Sequence, residues 1–151
     1  YTILRLPLVV GKNPPGNLGS MIKSIEGGYY FNIAGGSAKK SMILALDVAK
    51  AIHLIGQTGG IYNLTDGFHP SFKLLSSAIA NAKNKNIRLN MPIFLAVVIG
   101  YLGDALGDKA PVNSRKVKKI ITNLTFDDSK IRLILKYDSE SVIEYLKNNV
   151  V

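Results

Sequence analysis

The chain of 151 residues has no cysteine and only two histidines. The absent thiols exclude a disulfide frame and thiol catalysis, and they fit a cytoplasmic setting. His53 and His69 stand far apart without metal-ligand spacing, so both read as structural or solvent-facing. There is no G-x-S-x-G elbow, no Walker loop and no H-E-x-x-H helix. The G-x-G-x-x-G fingerprint is missing too, because Gly103 and Gly107 fail its spacing, so no pyrophosphate cradle for NAD is encoded here. No pair of acids points to glycosidase work. No internal repeat, low-complexity tract, signal peptide or initiating methionine is seen. The longest apolar run, MPIFLAVVIGYLG from Met91 to Gly103, has about 13 residues against the roughly 20 needed to cross a bilayer. It reads as a buried or partner-facing helix, or else as one lying on a lipid surface.

What is present describes a folded α/β domain. Hydrophobic residues make up 47% and charged residues 19%, enough to bury a core and too apolar for a disordered chain. The net charge of +9 raises the question of nucleic acid. The basic residues are scattered, however, with small clusters at Lys39-Lys40, Lys83-Lys85 and Arg115-Lys119, and no aromatic-interleaved basic motif accompanies them. A solvated basic surface, with a few lysines free to hold a small anion, is preferred over a nucleic-acid face.

The first eleven residues, YTILRLPLVVG, read as a strand over Thr2 to Leu6 with Pro7 and Gly11 marking the exit. A strand this apolar is expected to be covered on both faces, as in a parallel sheet. Further short strands are expected at Tyr29–Ile33, Ser41–Ala45 and 61–64, with another near Leu124 to Phe126. Helices are expected at about 18–26 with Asn17 as cap, at 47–56, from Pro70 onward, at 92–105, 113–121 and 140–149, with a turn of helix from Asp128. The helix after Asp47 should bury Val48, Ala51, Ile52 and Ile55, and the one after Pro70 should bury Phe72, Leu75 and Ile79.

Four segments occur in an informative order. LRLPLVVGKNPPGNLG (4–19) is followed by AGGSAKKSMILALDVAKAI (34–52), IYNLTDGFHPSFKLL (61–75) and LTFDDSKIRLILKY (124–137). This succession resembles the C-terminal half of the NAD-dependent epimerase/dehydratase family, the extended short-chain dehydrogenases typified by UDP-glucose 4-epimerase. Members carry L-R-x-x-x-V-x-G-P, then G-x-G…R-D-x-x-x-V-x-D-V-A, then Y-N-x-G-x-G…S, and finally D-x-S-K-A…L-G-W/Y-x-P. The resemblance spans nearly the whole chain. It implies an α/β fold, the C-terminal portion of a Rossmann-type extended short-chain dehydrogenase, with a few short strands and several helices. Residues 1–151 would form its substrate-binding region.

The resemblance also implies roles. The N-terminal half of such enzymes carries the glycine fingerprint and a catalytic Tyr-x-x-x-Lys pair. The chain starts just past that point, and Tyr1 is not the tyrosine because position 5 is Arg5. No catalytic residue is therefore expected here, and NAD or NADP would be held mainly by the other half. Leu6, Pro7 and Leu8 match the segment touching the nicotinamide end. Asn17 and Leu18 match a pair contacting the substrate pyrophosphate, where a helix start offers free N–H groups; Asn17 as a plain cap is the competing reading. Phe31, Asn32 and Ile33 match the strand lining the nucleobase, or are simply core. Lys40 stands where the family has a phosphate-gripping arginine and loses that residue's bidentate fork. Arg115 is a further phosphate candidate. Asp47, Asp127, Asp128 and Lys130 read as structural.

The sequence departs from the family at Leu8, often asparagine there, at Ser41 and Leu46, and at Leu135 to Ser139 in place of L-G-W-x-P. The expected function is substrate binding within an NAD(P)-dependent nucleotide-sugar epimerase or dehydratase. A reductase of a sterol-like or other apolar alcohol, or a non-catalytic binding domain, are the other readings. The implied partners are a nucleotide sugar and a second copy bound through the other half, with no nucleic acid and no membrane span.

Overall fold

The computed structural model describes residues 1–107, 113–135 and 139–149. In chain order these form β1 (Thr2–Arg5), β2 (Leu8–Val10), α1 (Gly16–Glu26), β3 (Phe31–Ile33), β4 (Met42–Leu44), α2 (Ala45–Ile55) and β5 (Gly60–Asn63). There follow α3 (Phe72–Ala82), β6 (Leu89–Met91), α4 (Ile93–Ala105), α5 (Ser114–Ile121), α6 (Ser129–Leu135) and α7 (Val142–Asn149).

The strands associate as three parallel pairs, β1 with β5, β2 with β4, and β3 with β6. Parallel partners need long crossovers, and every pair joins segments far apart in sequence. β4 is the centre of the fold. Met42 and Leu44 point into one apolar cluster, with Val10, Leu18, Ile79 and Leu146, while Ile43 points the opposite way into a second, with Ile55, Leu64 and Ile131. Alternation along a strand thus puts β4 in both cores, with α1, α3 and α7 on one side and α2 and α6 on the other.

β1 differs from expectation. Its Leu4 packs on the second cluster, but Ile3 and its cross-strand neighbour Ile61 remain 42% and 45% exposed. One face of the pair is therefore open within this chain. Two strands were not foreseen. β2 begins directly after Pro7, which reads locally as an exit, and β6 lies in a stretch without β-branched residues where pairing with β3 imposes the extended form. The segment near Leu124 makes only an isolated bridge to Lys40.

Helix starts also shift. Pro15 holds the N-cap position of α1 and makes no side-chain cap, so Asn17 lies inside the first turn and is not the cap. α3 starts at Phe72, not Pro70, because the Ser71 hydroxyl accepts the Leu74 N–H at 3.2 Å. In α2, Ala51 and Ile55 are buried as expected, whereas Ile52 faces outward. Lys136 to Asp138 of the altered terminal motif lie outside the described residues.

Candidate functional site

Leu6 and Pro7 link β1 to β2, of which Leu8 is the first residue, and so step from one parallel pair to the next. Leu6 and Leu8 are exposed and Pro7 is half-buried, leaving an apolar edge beside the open face of Ile3 and Ile61. The chain leaves β2 at Val10 and enters α1 through a Gly-, Asn- and Pro-rich loop. Asn17 is exposed in the first turn of α1, and Leu18 is buried in the first cluster. With no side chain capping that turn, its backbone N–H groups carry the partial positive charge of a helix start.

β3 carries the next trio. Phe31 is exposed, while Asn32 and Ile33 are half-buried. Asn32 Oδ1 accepts from the Ser76 hydroxyl at 3.3 Å and the Tyr30 hydroxyl at 3.4 Å. Burial pushes the Tyr30 hydroxyl up to about 12, with the hydrogen bond to Ser76 pulling the other way. Gly36 is required close by: at φ +65°, a Cβ there would stand 2.7 Å from Asn32 Oδ1 and from the Lys73 amide.

The two candidate cations have different surroundings. Lys40 Nζ donates to the carbonyls of Lys119 and Thr122, both at 2.7 Å, and lies 5.5 Å from the centre of the Phe72 ring. Burial lowers its pKa from the ordinary lysine value. Its charge is thus committed to the end of α5. Arg115 is exposed on α5 at a groove between α4 and α5, beside Val97, Tyr101 and Lys118. The structure therefore does not bring Lys40 and Arg115 onto one anion.

The densest polar group was not singled out by sequence. Asp66 is buried just after β5 and accepts from the Phe68 N–H at 3.0 Å and the Val142 N–H at 3.1 Å. Burial raises its pKa against these two bonds and the nearby charges of His69 and Arg132. The signal was present in Thr65-Asp66-Gly67, since an aspartate before a glycine after a strand favours an Asx turn. Asp128 accepts from the Thr65 hydroxyl at 2.8 Å and from Arg132 Nε at 3.0 Å. Asp47, 1% exposed, accepts from Lys50 Nζ and from the Glu140 N–H, each at 3.1 Å. Asp127 is held below the usual carboxylate value by the Ser129 N–H and hydroxyl. Lys130 lies 4.7 Å from the Tyr62 ring centre. Asp66, Asp128, Asp47 and Lys130 tie separate segments together, while the Asp127 carboxylate bonds within its own turn at the start of α6.

Ser41 and His69 form one further pair. Ser41 Oγ accepts the Phe126 N–H at 2.8 Å and shares a hydrogen bond of 3.1 Å with His69 Nδ1, whose direction follows the tautomer of the ring. At 2% exposure this hydroxyl is enclosed by its own partners, an arrangement that joins loops rather than one that attacks a substrate. Among the described residues no three His, Cys, Asp or Glu side chains gather as a metal site. The arrangement can orient and bind. The groups it offers are apolar edges, a helix start, an amide and an exposed guanidinium.

No family model matches the chain. In sequence it is 29% identical over 139 residues to the N-acetyl-alpha-D-glucosaminyl-diphospho-ditrans,octacis-undecaprenol 4-epimerase of Escherichia coli O157:H7, covering 86% of this chain and 42% of that protein. In structure it matches the human epimerase family protein SDR39U1 with NADPH at a TM-score of 0.71 and 15% identity, covering 99% of this chain and 48% of the other. It likewise matches the Thermus thermophilus UDP-glucose 4-epimerase complex with NAD at a TM-score of 0.66 and 17% identity, over 99% of this chain and 45% of that one. The chain thus spans less than half the length of the proteins it matches. Its fold is that of the C-terminal part of the extended short-chain epimerases and dehydratases, as the four ordered segments imply.

Proposed function

We propose that this chain forms the substrate-side part of a nicotinamide-dependent nucleotide-sugar epimerase or dehydratase. The observation that carries the reading is the coincidence of a 29% sequence match over 139 residues to a sugar 4-epimerase with a fold match over 99% of the chain to epimerases. The first supports chemistry on a sugar diphosphate, and the second supports the architecture.

Each candidate residue then has a role in binding. The exposed apolar edge of Leu6 to Leu8 suits a nicotinamide ring, while no glycine-rich turn in this chain suits its pyrophosphate. NAD or NADP would accept and return hydride at the sugar, held mainly by residues outside this chain. The first turn of α1 at Asn17 and Leu18 offers N–H groups to the substrate diphosphate. Phe31 to Ile33 face the nucleobase. Arg115 is the better placed cation for phosphate, because Lys40 would first have to leave two carbonyls. Residues 1–151 act as one binding region, in a cytoplasmic enzyme that pairs with a second copy through its remaining part. Nucleic acid has no role in this reading.

Two observations favour a second reading. The E. coli relative is named for a sugar diphosphate carried on a polyprenol, and α4 exposes a large apolar surface. A lipid diphosphate would then replace the nucleoside diphosphate at the same α1 start.

Thermal shift of the full-length protein with UDP-, GDP- and dTDP-sugars tests the proposal. A ligand at a hundred times its Kd stabilises by about 2.7 kcal/mol, which raises Tm by several degrees. Stabilisation by no nucleotide sugar would overturn the nucleotide-sugar reading.

A further inference from the structure

The 13-residue helix α4 is built inside out for a soluble protein. Its large side chains Phe94, Leu95, Val98, Ile99, Tyr101 and Leu102 are all exposed, and its buried residues are the small Ala96, Gly100 and Gly103. The cause is the close approach of α5. A Cβ on Gly100 would stand 3.1 Å from Ser114 Cα and 3.2 Å from a Val117 methyl, so only small residues fit the seam. The bulky residues are left outside, forming an apolar surface larger than a water-facing helix tolerates.

The other helix of the hairpin has the opposite character. α5 reads SRKVKKII, with Arg115, Lys118 and Lys119 exposed and no acid along it. None of these three makes an ion pair among the described residues. The single acid of α4, Asp104, is occupied by the Ser114 N–H at 3.1 Å. The hairpin therefore presents apolar bulk on one helix and, on its neighbour, the charges of Arg115, Lys118 and Lys119 with no ion pair among the described residues.

We propose that the α4–α5 hairpin seats on an anionic phospholipid bilayer, with α4 in the interfacial plane and Lys118 and Lys119 of α5 among the headgroups. The combination of aromatic and aliphatic bulk with adjacent Lys and Arg is the chemistry of helices that lie in the membrane interface. α4 is about 20 Å long at 1.5 Å per residue, too short for a hydrocarbon core of about 30 Å, so it lies on the surface and does not cross. No helix among the described residues is long and apolar enough to cross a membrane. A second copy is the poorer occupant, because a two-fold contact through this hairpin would bring the α5 cations of both copies together. The proposal goes beyond the sugar reading and stands with either form of the diphosphate.

The test is co-sedimentation of the full-length protein with phosphatidylcholine vesicles, and with vesicles that also contain phosphatidylglycerol. Binding is expected to the anionic vesicles, weakened by added salt, and reduced about tenfold or more both by Lys118→Glu with Lys119→Glu and by Phe94→Ser with Leu102→Ser. All four positions are exposed, so the variants should keep the wild-type circular dichroism and melting, measured alongside. Equal failure to bind either vesicle overturns the proposal, as does binding indifferent to both double variants. A mass by light scattering that halves in the Phe94→Ser, Leu102→Ser variant without vesicle binding assigns the surface to a second copy instead. Sugar-nucleotide thermal shift is read separately, so a wild-type protein that responds to ligand but binds neither vesicle contradicts this inference and leaves the sugar reading standing.

Discussion

Lys40 Nζ stands 2.7 Å from the carbonyl oxygen of Thr122 and at the same distance from that of Lys119, closing the C-terminal end of α5 from 79 residues away in sequence. A cation there meets carbonyls that have no partner within the helix, at the negative end of its dipole. Lys40→Met keeps the aliphatic stem and removes the donor. It is expected to lower stability by about 1 kcal/mol and to speed amide exchange over Ser114–Ile121. Unchanged exchange in α5 would show that the contact contributes nothing.

Tyr30 makes stability sensitive to alkali. Its folded pKa is about 12 against 10.0 for an ordinary tyrosine. A pKa raised on folding gives stability that is whole below pH 10 and lost as pH climbs through the folded value. The loss between pH 10 and 12 is expected to be on the order of 2 kcal/mol. Tyr30→Phe should remove that part of the decline while changing neutral-pH stability little, because its bond to Asn32 is long at 3.4 Å. Urea unfolding at several alkaline pH values measures it, and identical slopes for the two proteins would refute the assignment.

Asp128 ties Thr65 to Arg132. Asp128→Ala leaves the Thr65 hydroxyl buried without its acceptor and frees a half-buried guanidinium. A loss of about 2–3 kcal/mol is expected in denaturant midpoint. Arg132→Lys should cost less, because it keeps the charge and loses the forked contact.

Much of the fold was legible in the sequence. The expected helices start within a few residues of those among the described residues, although only a turn is expected where α6 runs over Ser129–Leu135, and Asp47 at the start of α2 followed from dipole chemistry. Three things were not legible, each for a tertiary reason. β6 is extended because β3 lies alongside it, not because its residues prefer strands. The Asp47 bond to the Glu140 amide joins residues 93 apart, beyond any local pattern. The apolar run of α4 was visible, but its exposure depends on which residues α5 covers. At the site, chain order brought Asn17 to the start of α1 and Phe31 to Ile33 to one strand. The commitment of Lys40 to two carbonyls depends on a helix that forms much later in the chain.

Gly100 tests the hairpin itself. Gly100→Val places a branched side chain against Ser114 and Val117, where a single Cβ already approaches within 3.1–3.2 Å. α5 should separate from α4, with faster amide exchange in both helices and little change in exchange over the β4 core. Exchange equal to wild type in α5 would contradict the packing.

On the proposed function, this chain holds the substrate of a nicotinamide-dependent sugar-nucleotide enzyme. The most direct measurement is proton NMR of UDP-, GDP- and dTDP-sugars incubated with the full-length protein and NAD or NADP. New anomeric signals from a C4 epimer or a dehydrated sugar are predicted for at least one substrate, with a raised KM in Asn17→Ala. Every sugar returned unchanged, at enzyme levels that saturate with ligand, would contradict the account.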